Sequence, residues 1–529
     1  MDNKQISLDK MVKGGLILTI SSFIVKLLSA IYKVPFQNLT GDAGFYVYQQ
    51  VYPLYGLAVA FTLQGLPTFI SKVVSEADDD RELQQKMREI NIWLFIIGVS
   101  LFGLLWGGAN WIAQMMGDNQ LAPVIKSVSI FYLFLPFLAL IRGYFQGKAD
   151  MLPTSTSQIV EQIVRVAILL GAALHFSNQS LSVYQMGANA YQSAWLSALA
   201  ATVVLGIYLK RNKVLGEYVQ ILQPQPTSLE MGRRLVSEGG LLIATSSLMI
   251  LFQFIDSFTV YNGLVLSGFT EEMAMSLKGV YDRGQPMVQL GLVIGLGFST
   301  TSLPLLRRQV IEGKWAEWTE SAASLLKITM ILSGAATVGL VAVMPWMNFT
   351  LFTDFSGTDT LQIFVLSVFF ASLIYCLHTI LQSTGKADNS FMILLIGLAF
   401  KIITNQLTVR AMGINGSSLV TVQSLILITI LMMQLVRKEV WRTVLANHFF
   451  AKLFVILIGL YVLVRGSMTL ITSSLELKGR MSSFVLIIIG VLIGVVFFII
   501  TALSIKLLNE EELKQIPFLT KWMDKTKRK

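Results

Sequence analysis

Lys26 and Lys33 sit in a run of apolar residues long enough to cross a bilayer, where a charge needs a wet cavity or a partner. Thr19, Ser22, Lys26, Ser29 and Lys33 recur at spacings of three and four, which on a helix puts them on one face. Leu16, Ile20, Phe23, Ile24 and Leu27 form the opposite, oily face. Lys26 lies roughly 18 Å along the axis from Gly14 at about 1.5 Å per residue, too deep to reach headgroups easily. Two readings stand: the lysine locks helices together through an acidic partner, or it serves a substrate path. Lys33 has a third, since it could snorkel to the interface.

Further charges fall inside apolar stretches. Glu161 and Arg165 are four apart in the order that favours a helical ion pair, and that pair is either structural or part of a site. Asp256 shares a helical face with Ser246 and Gln253, Asp282 and Arg283 open another span within Tyr281-Asp-Arg-Gly-Gln-Pro286, and Lys401 and Asn405 lie one turn apart. Around Lys26, Lys33, Asp256, Asp282 and Arg283 the cations outnumber the anions. A positive cavity between low-dielectric walls concentrates anions, and an arginine fork grips phosphate bidentately. A phosphate-bearing substrate is the inference, with Asp256 and Asp282 steadying the cations or coupling to an ion.

Several chemistries are disfavoured. Cys376 is the single cysteine and sits in an apolar segment, so neither a disulfide framework nor a thiolate metal site is expected. His175, His378 and His448 are far apart and lack ligand spacing, and no metal or other cofactor is expected. No paired carboxylates stand on an interfacial loop, no Asp-x-Asp site appears, and no large extramembrane domain is available for a sugar nucleotide, which argues against an enzyme. The net charge of +10 is spread over short turns and the tail Lys521, Lys525, Lys527, Arg528 and Lys529, a pattern that reports membrane orientation rather than nucleic acid.

These residues have to be positioned by membrane helices. Of 529 residues 54% are apolar and 14% charged, against about a quarter charged in soluble chains. The expectation is an all-α polytopic membrane protein with about fourteen spans. The first of them covers 12–34 and is read as a retained helix behind the polar lead Met1 to Lys13, not as a signal peptide. Assigning alternate loops to one side gathers most Lys and Arg there, which places both termini and the loops around Arg81, Lys148, Arg211, Arg307, Lys386 and Arg437 in the cytoplasm. The stretch Lys210 to Arg234, with Gln223-Pro-Gln-Pro226 inside it, is the best linker candidate.

The chain also repeats itself. Gly147-Lys-Ala-Asp150 returns as Gly385-Lys-Ala-Asp388, Met186-Gly-Ala-Asn-Ala190 as Met412-Gly-Ile-Asn-Gly416, Gly14-Gly-Leu16 as Gly239-Gly-Leu241, and Leu66-Pro67 as Leu303-Pro304. The offsets are all about 225 to 238 residues. Two pseudo-symmetric six-helix lobes follow, 1–225 and 226–445, with two extra helices and a basic tail over 446–529. Parallel repeats of this kind flank a substrate path and rock about it.

The opening Gly14-Gly-Leu16 with its basic first helix, Gly41-Asp-Ala-Gly-Phe-Tyr-Val-Tyr-Gln49, Leu66-Pro-Thr-Phe-Ile-Ser-Lys72, Asp282-Arg-Gly-Gln-Pro286 and Ser302-Leu-Pro304 together resemble the polysaccharide-biosynthesis and stage V sporulation protein B group. That group lies in the multidrug, oligosaccharidyl-lipid and polysaccharide exporter superfamily and is similar to the MurJ-like lipid II flippases. The resemblance implies a flippase in a bacterial plasma membrane that moves an undecaprenyl-diphosphate-linked saccharide by alternating access, driven by Na+, H+, Cl− or the membrane potential. Lys26 and Arg283 stand where MurJ-like proteins carry arginines of the cationic cavity. This chain departs in having Lys at position 26 and no basic residue between Phe45 and Ser71. The alternative within the superfamily is a cation-coupled multidrug exporter, and a non-transporting scaffold of an envelope machine is the more distant one.

Overall fold

The computed structural model describes residue 18 and residues 21–178, 181–223, 227–475 and 479–507, without the side chains of 294–301 and 475. The motif Gly14-Gly-Leu16, Thr19, the polar lead and the basic tail lie outside the described residues, as does most of the Gln223 to Pro226 segment. All regular structure among the described residues is helical. Fourteen principal helices are labelled α1 Ser21–Glu76, α2 Asp80–Gly107, α3 Asn119–Gly147, α4 Leu152–Asn178, α5 Val183–Arg211, α6 Leu248–Leu266, α7 Glu271–Asp282, α8 Gly284–Ile311, α9 Trp315–Phe352, α10 Thr358–Ser383, α11 Ala387–Met412, α12 Ile414–Leu435, α13 Phe449–Leu475 and α14 Arg480–Ser504.

Twelve of the described helices are long and apolar enough to cross a membrane, which establishes a multi-pass membrane protein. The expected count of about fourteen is not reproduced by this criterion. One reason is α1, whose 56 residues hold what the sequence divides into two spans. At 1.5 Å per residue α1 would reach about 84 Å if straight, far beyond a hydrocarbon core of about 30 Å. It is interrupted at Gly41, whose φ of 67° and ψ of −178° are open to a residue without Cβ. The helix α8, at 28 residues, is also long enough to cross.

The chain divides into two compact units, Met1–Leu290 with Leu394–Thr421 and Gly291–Ile393 with Val422–Lys529. In the first, a π-helical turn at Phe61–Gly65 follows the main stretch of α1 and leads into Leu66–Glu76. Such a turn leaves a carbonyl without its usual intrahelical partner. That of Thr62 accepts from Arg142 Nη1 of α3 at 3.2 Å. Gly143 and Gly147, one turn apart on α3, let the chain approach Ile70 and Val74 of α1 so closely that a Cβ at either glycine would collide with them. The polar side chains of α1 and α4 thus face a tightly packed interior.

The second unit is built on α9, against which α13 and α14 pack. Ala342 and Val343 meet Leu460, Val464, Met468 and Leu486 in a buried cluster. Outward-facing Phe454, Val455, Val462, Leu492, Val496 and Ile500 remain exposed, as suits helices bathed in lipid. A Cβ at Gly490 would lie 2.6 Å from Met468 Sδ, whereas one at Gly466 meets nothing within 4 Å. Gly490→Ala is therefore expected to lower stability by about 1–3 kcal/mol through overpacking. Gly466→Ala should raise it by about 0.5–1 kcal/mol, as alanine normally does in a helix. Unfolding of the two purified variants in one detergent compares them directly, and equal effects would remove the packing argument.

Candidate functional site

The polar interior of the first unit contains six buried cations among the described residues: Lys33, Arg142, Arg165, Lys278, Arg283 and Lys401. Burying a charge without a counter-charge or hydrogen bonds costs several kcal/mol, roughly, so each must be accounted for. Four of them have carboxylates.

Arg142 of α3 bonds Glu161 of α4 at 2.7 Å and also donates to Ser157 Oγ at 3.1 Å. Arg283 forks onto Asp42, with Nη2 2.8 Å and 2.7 Å from the two carboxylate oxygens and Nε 3.1 Å from one. Gly279 permits this approach, because a Cβ there would collide with the Asp42 carbonyl. Lys278 sits 2.6 Å from both oxygens of Asp282, one turn later on the same helix. Lys401 lies 2.8 Å from Asp256 Oδ1, 2.9 Å from its Oδ2 and 2.8 Å from Thr421 Oγ1. Asp256 also accepts from Tyr281 at 2.9 Å, Asn405 at 3.0 Å and Ser417 at 3.1 Å.

Lys33 and Arg165 are the two that no carboxylate pairs among the described residues. Lys33 Nζ is fully buried, donates to no hydrogen-bond partner there, and lies 4.1 Å from the centroid of the Tyr52 ring. Arg165 addresses the same ring at 5.9 Å, stacks 3.8 Å from Tyr55, and donates to the hydroxyls of Tyr48 at 2.6 Å and Tyr32 at 3.1 Å. Those hydroxyls are 2.7 Å apart, and Tyr191 donates to the Tyr48 carbonyl at 2.7 Å while stacking on its ring. Ring faces offset part of the cost of a buried cation, about 2 kcal/mol when desolvated. They leave its charge uncancelled. The arrangement can hold an anion between a point charge and a planar fork.

The placement departs from the sequence expectation in its ion pairs. Glu161 does not pair with Arg165 one turn away: the carboxylate turns to Arg142 on a neighbouring helix, and Arg165 turns into the tyrosines. The direct partners of Asp282 and Asp256 are Lys278 and Lys401, so Asp282 acts on Lys33 only at longer range, and Asp42 takes the Arg283 fork. Lys26 is half-buried and has no hydrogen bond or ion pair among the described residues.

Arg142, Asp42, Lys278 and the tyrosines were not anticipated as site residues. Two of these had a legible signal: Tyr48, Tyr52 and Tyr55 recur at helical spacing on one face, and Lys278 stands one turn before Asp282. Nearer the end of α1's run, Asp118 lies between two spans and accepts from Tyr46 at 3.1 Å and Tyr184 at 2.8 Å; burial pushes its carboxyl up from the ordinary range.

A model of the polysaccharide biosynthesis protein family matches residues 11–309. An uncharacterized membrane protein of Bacillus subtilis, YabM, is 33% identical over 513 residues, covering 96% of this chain and 95% of that one. The lipid II flippase MurJ of the same organism is 26% identical, with 78% of this chain and 80% of MurJ covered. A solved structure of the lipid II flippase MurJ in an inward closed conformation shares the fold at a TM-score of 0.65, with 12% identity, 92% of this chain and 99% of that chain covered. The chain therefore belongs to the polysaccharide biosynthesis protein family and is a multi-pass membrane protein, with a flippase among its named relatives.

Proposed function

We propose that this protein translocates a lipid-diphosphate-linked saccharide across a bacterial plasma membrane, with Lys33 and Arg165 as the principal grip on the diphosphate. The observation that carries this reading is the pair of buried cations without carboxylates around Tyr52. A diphosphate supplies the charge they lack, and the named relative MurJ handles a lipid of that chemistry. Lys26, half-buried on the same helix as Lys33, meets the headgroup as it arrives.

Arg283 is the second contact, exchanging Asp42 for phosphate as the cavity changes. A site that bound the diphosphate equally well in every state would not bias the conformational equilibrium, so an arginine with an alternative carboxylate partner is useful to a carrier. The repeated six-helix lobes, 1–225 and 226–445, provide the alternating element. A cation-coupled drug exporter fits less well, since unpaired cations repel organic cations.

The test is translocation of a labelled undecaprenyl-diphosphate saccharide in proteoliposomes. Arg165→Ala is expected to lower the rate by at least about a hundredfold, the scale of about 3 kcal/mol for a lost charge-assisted contact. Lys26→Arg should retain activity because the charge is kept. Wild-type rates from Arg165→Ala in well-folded protein would refute the assignment.

A further inference from the structure

The second unit carries a cavity of its own, about 340 Å³, at the end where its basic connections lie. Its walls are of two kinds. Trp318, Ile380 and Leu435 make an apolar floor, with Trp318 and Ile380 fully buried. At the mouth stand Lys386, in the turn between α10 and α11, and Arg437, just past the end of α12, together with Trp315.

The floor is built rather than incidental. Trp318 Nε1 donates to Ser383 Oγ at 3.0 Å, which fixes the indole against α10, and Trp315 meets it edge-on at 5.8 Å between centroids. The Arg437 guanidinium lies 4.9 Å over the Trp315 ring, a cation–π contact that holds the charge at the mouth. Lys386 is exposed and has no ion pair among the described residues. Among the described residues the carboxylate that engages the mouth is Glu439, 3.4 Å from Arg437, and both side chains are about half exposed, at 55% and 42%. An exposed pair of that length is weak and readily exchanged.

Two cations above an apolar, tryptophan-lined floor match a molecule that is anionic at one end and oily at the other. Tryptophan and basic side chains together are also what a protein places at the membrane–water boundary. We propose that this cavity binds an anionic phospholipid, its phosphate between Lys386 and Arg437 and its glycerol and upper acyl carbons on Trp318, Ile380 and Leu435. The phosphate displaces Glu439 from Arg437. The site uses none of the residues assigned to the diphosphate of the transported lipid, so it stands or falls independently of that assignment.

The experiment is native mass spectrometry of the full-length, delipidated protein given phosphatidylglycerol or phosphatidylcholine at equal concentration. Phosphatidylglycerol is expected to be retained about 10- to 30-fold more than phosphatidylcholine, from about 1 kcal/mol for each basic residue. The double variant Lys386→Gln, Arg437→Gln should bring the two lipids level, and its melting curve reports whether it is folded. Glu439→Gln, which leaves both cations in place, should raise phosphatidylglycerol retention about threefold by removing the competing carboxylate.

Equal retention of the two lipids by the wild-type protein would overturn the proposal. So would displacement of phosphatidylglycerol by excess inorganic phosphate, which would mark a site for free phosphate, and so would weaker retention by Glu439→Gln.

Discussion

Lys33→Met should leave the protein more stable than the wild type and unable to translocate its substrate. The ammonium is buried, makes no hydrogen bond and is in direct contact with no carboxylate among the described residues; the Tyr52 ring lies 4.1 Å away, and the Asp282 carboxylate, itself bound to Lys278, acts on it only at longer range. Methionine keeps the length and much of the volume of the side chain while removing the charge. Replacing poorly compensated buried charges by apolar groups of similar shape commonly gains about 1–4 kcal/mol. A lysine that merely braced helices would give the opposite sign, because its loss would strand a partner. Translocation should fall by about a hundredfold or more, as for loss of a contact worth roughly 3 kcal/mol. Thermal unfolding in detergent and translocation in proteoliposomes are read on the same preparation. Loss of stability together with activity would reassign Lys33 to the scaffold.

Arg142→Ala is expected to be the most destabilising of the charge removals, by about 3–5 kcal/mol, since it leaves the Glu161 carboxylate buried and unpaired. It also abandons the Thr62 carbonyl that the π-helical turn of α1 releases. Glu161→Gln should cost less, because the amide oxygen still accepts from Arg142. Arg142→Met combined with Glu161→Leu should recover most of the loss, which a double-mutant cycle measures as a coupling of about 2–3 kcal/mol. Additive effects in that cycle would show that the two charges do not depend on one another. Arg165 supplies the internal comparison: it lies one turn from Glu161, yet Arg165→Ala should not release Glu161 from Arg142.

The difference between Arg142 and Arg165 shows where the sequence stops being informative. The spacing of Glu161 and Arg165 is a property of one helix, and it correctly puts them on one face; it says nothing about a cation that approaches from the next helix. Arg142 follows the apolar run 121–141, and nothing near it in sequence marks it as a partner of Glu161. Asp42 and Arg283 are 241 positions apart, and Asp256 and Lys401 are 145 apart. By contrast Lys278 and Asp282 are one turn apart and their pairing was accessible to the same helical rule.

The sequence by itself determined the helical membrane class, the family, and the stripe that makes Lys33 an inward-facing cation. Each rests on local information: composition, a helical period, or a run of matching residues. Only the tertiary structure decided which charges cancel. Four carboxylates choose among six buried cations by which side chains the packed helices bring within about 3 Å, a distance at which charge-assisted hydrogen bonds form. Lys33 and Arg165 emerge as the uncompensated pair because α1 and α4 surround them with tyrosine rings and hydroxyls instead of carboxylates. That outcome depends on contacts between residues far apart in the chain, which no periodicity encodes.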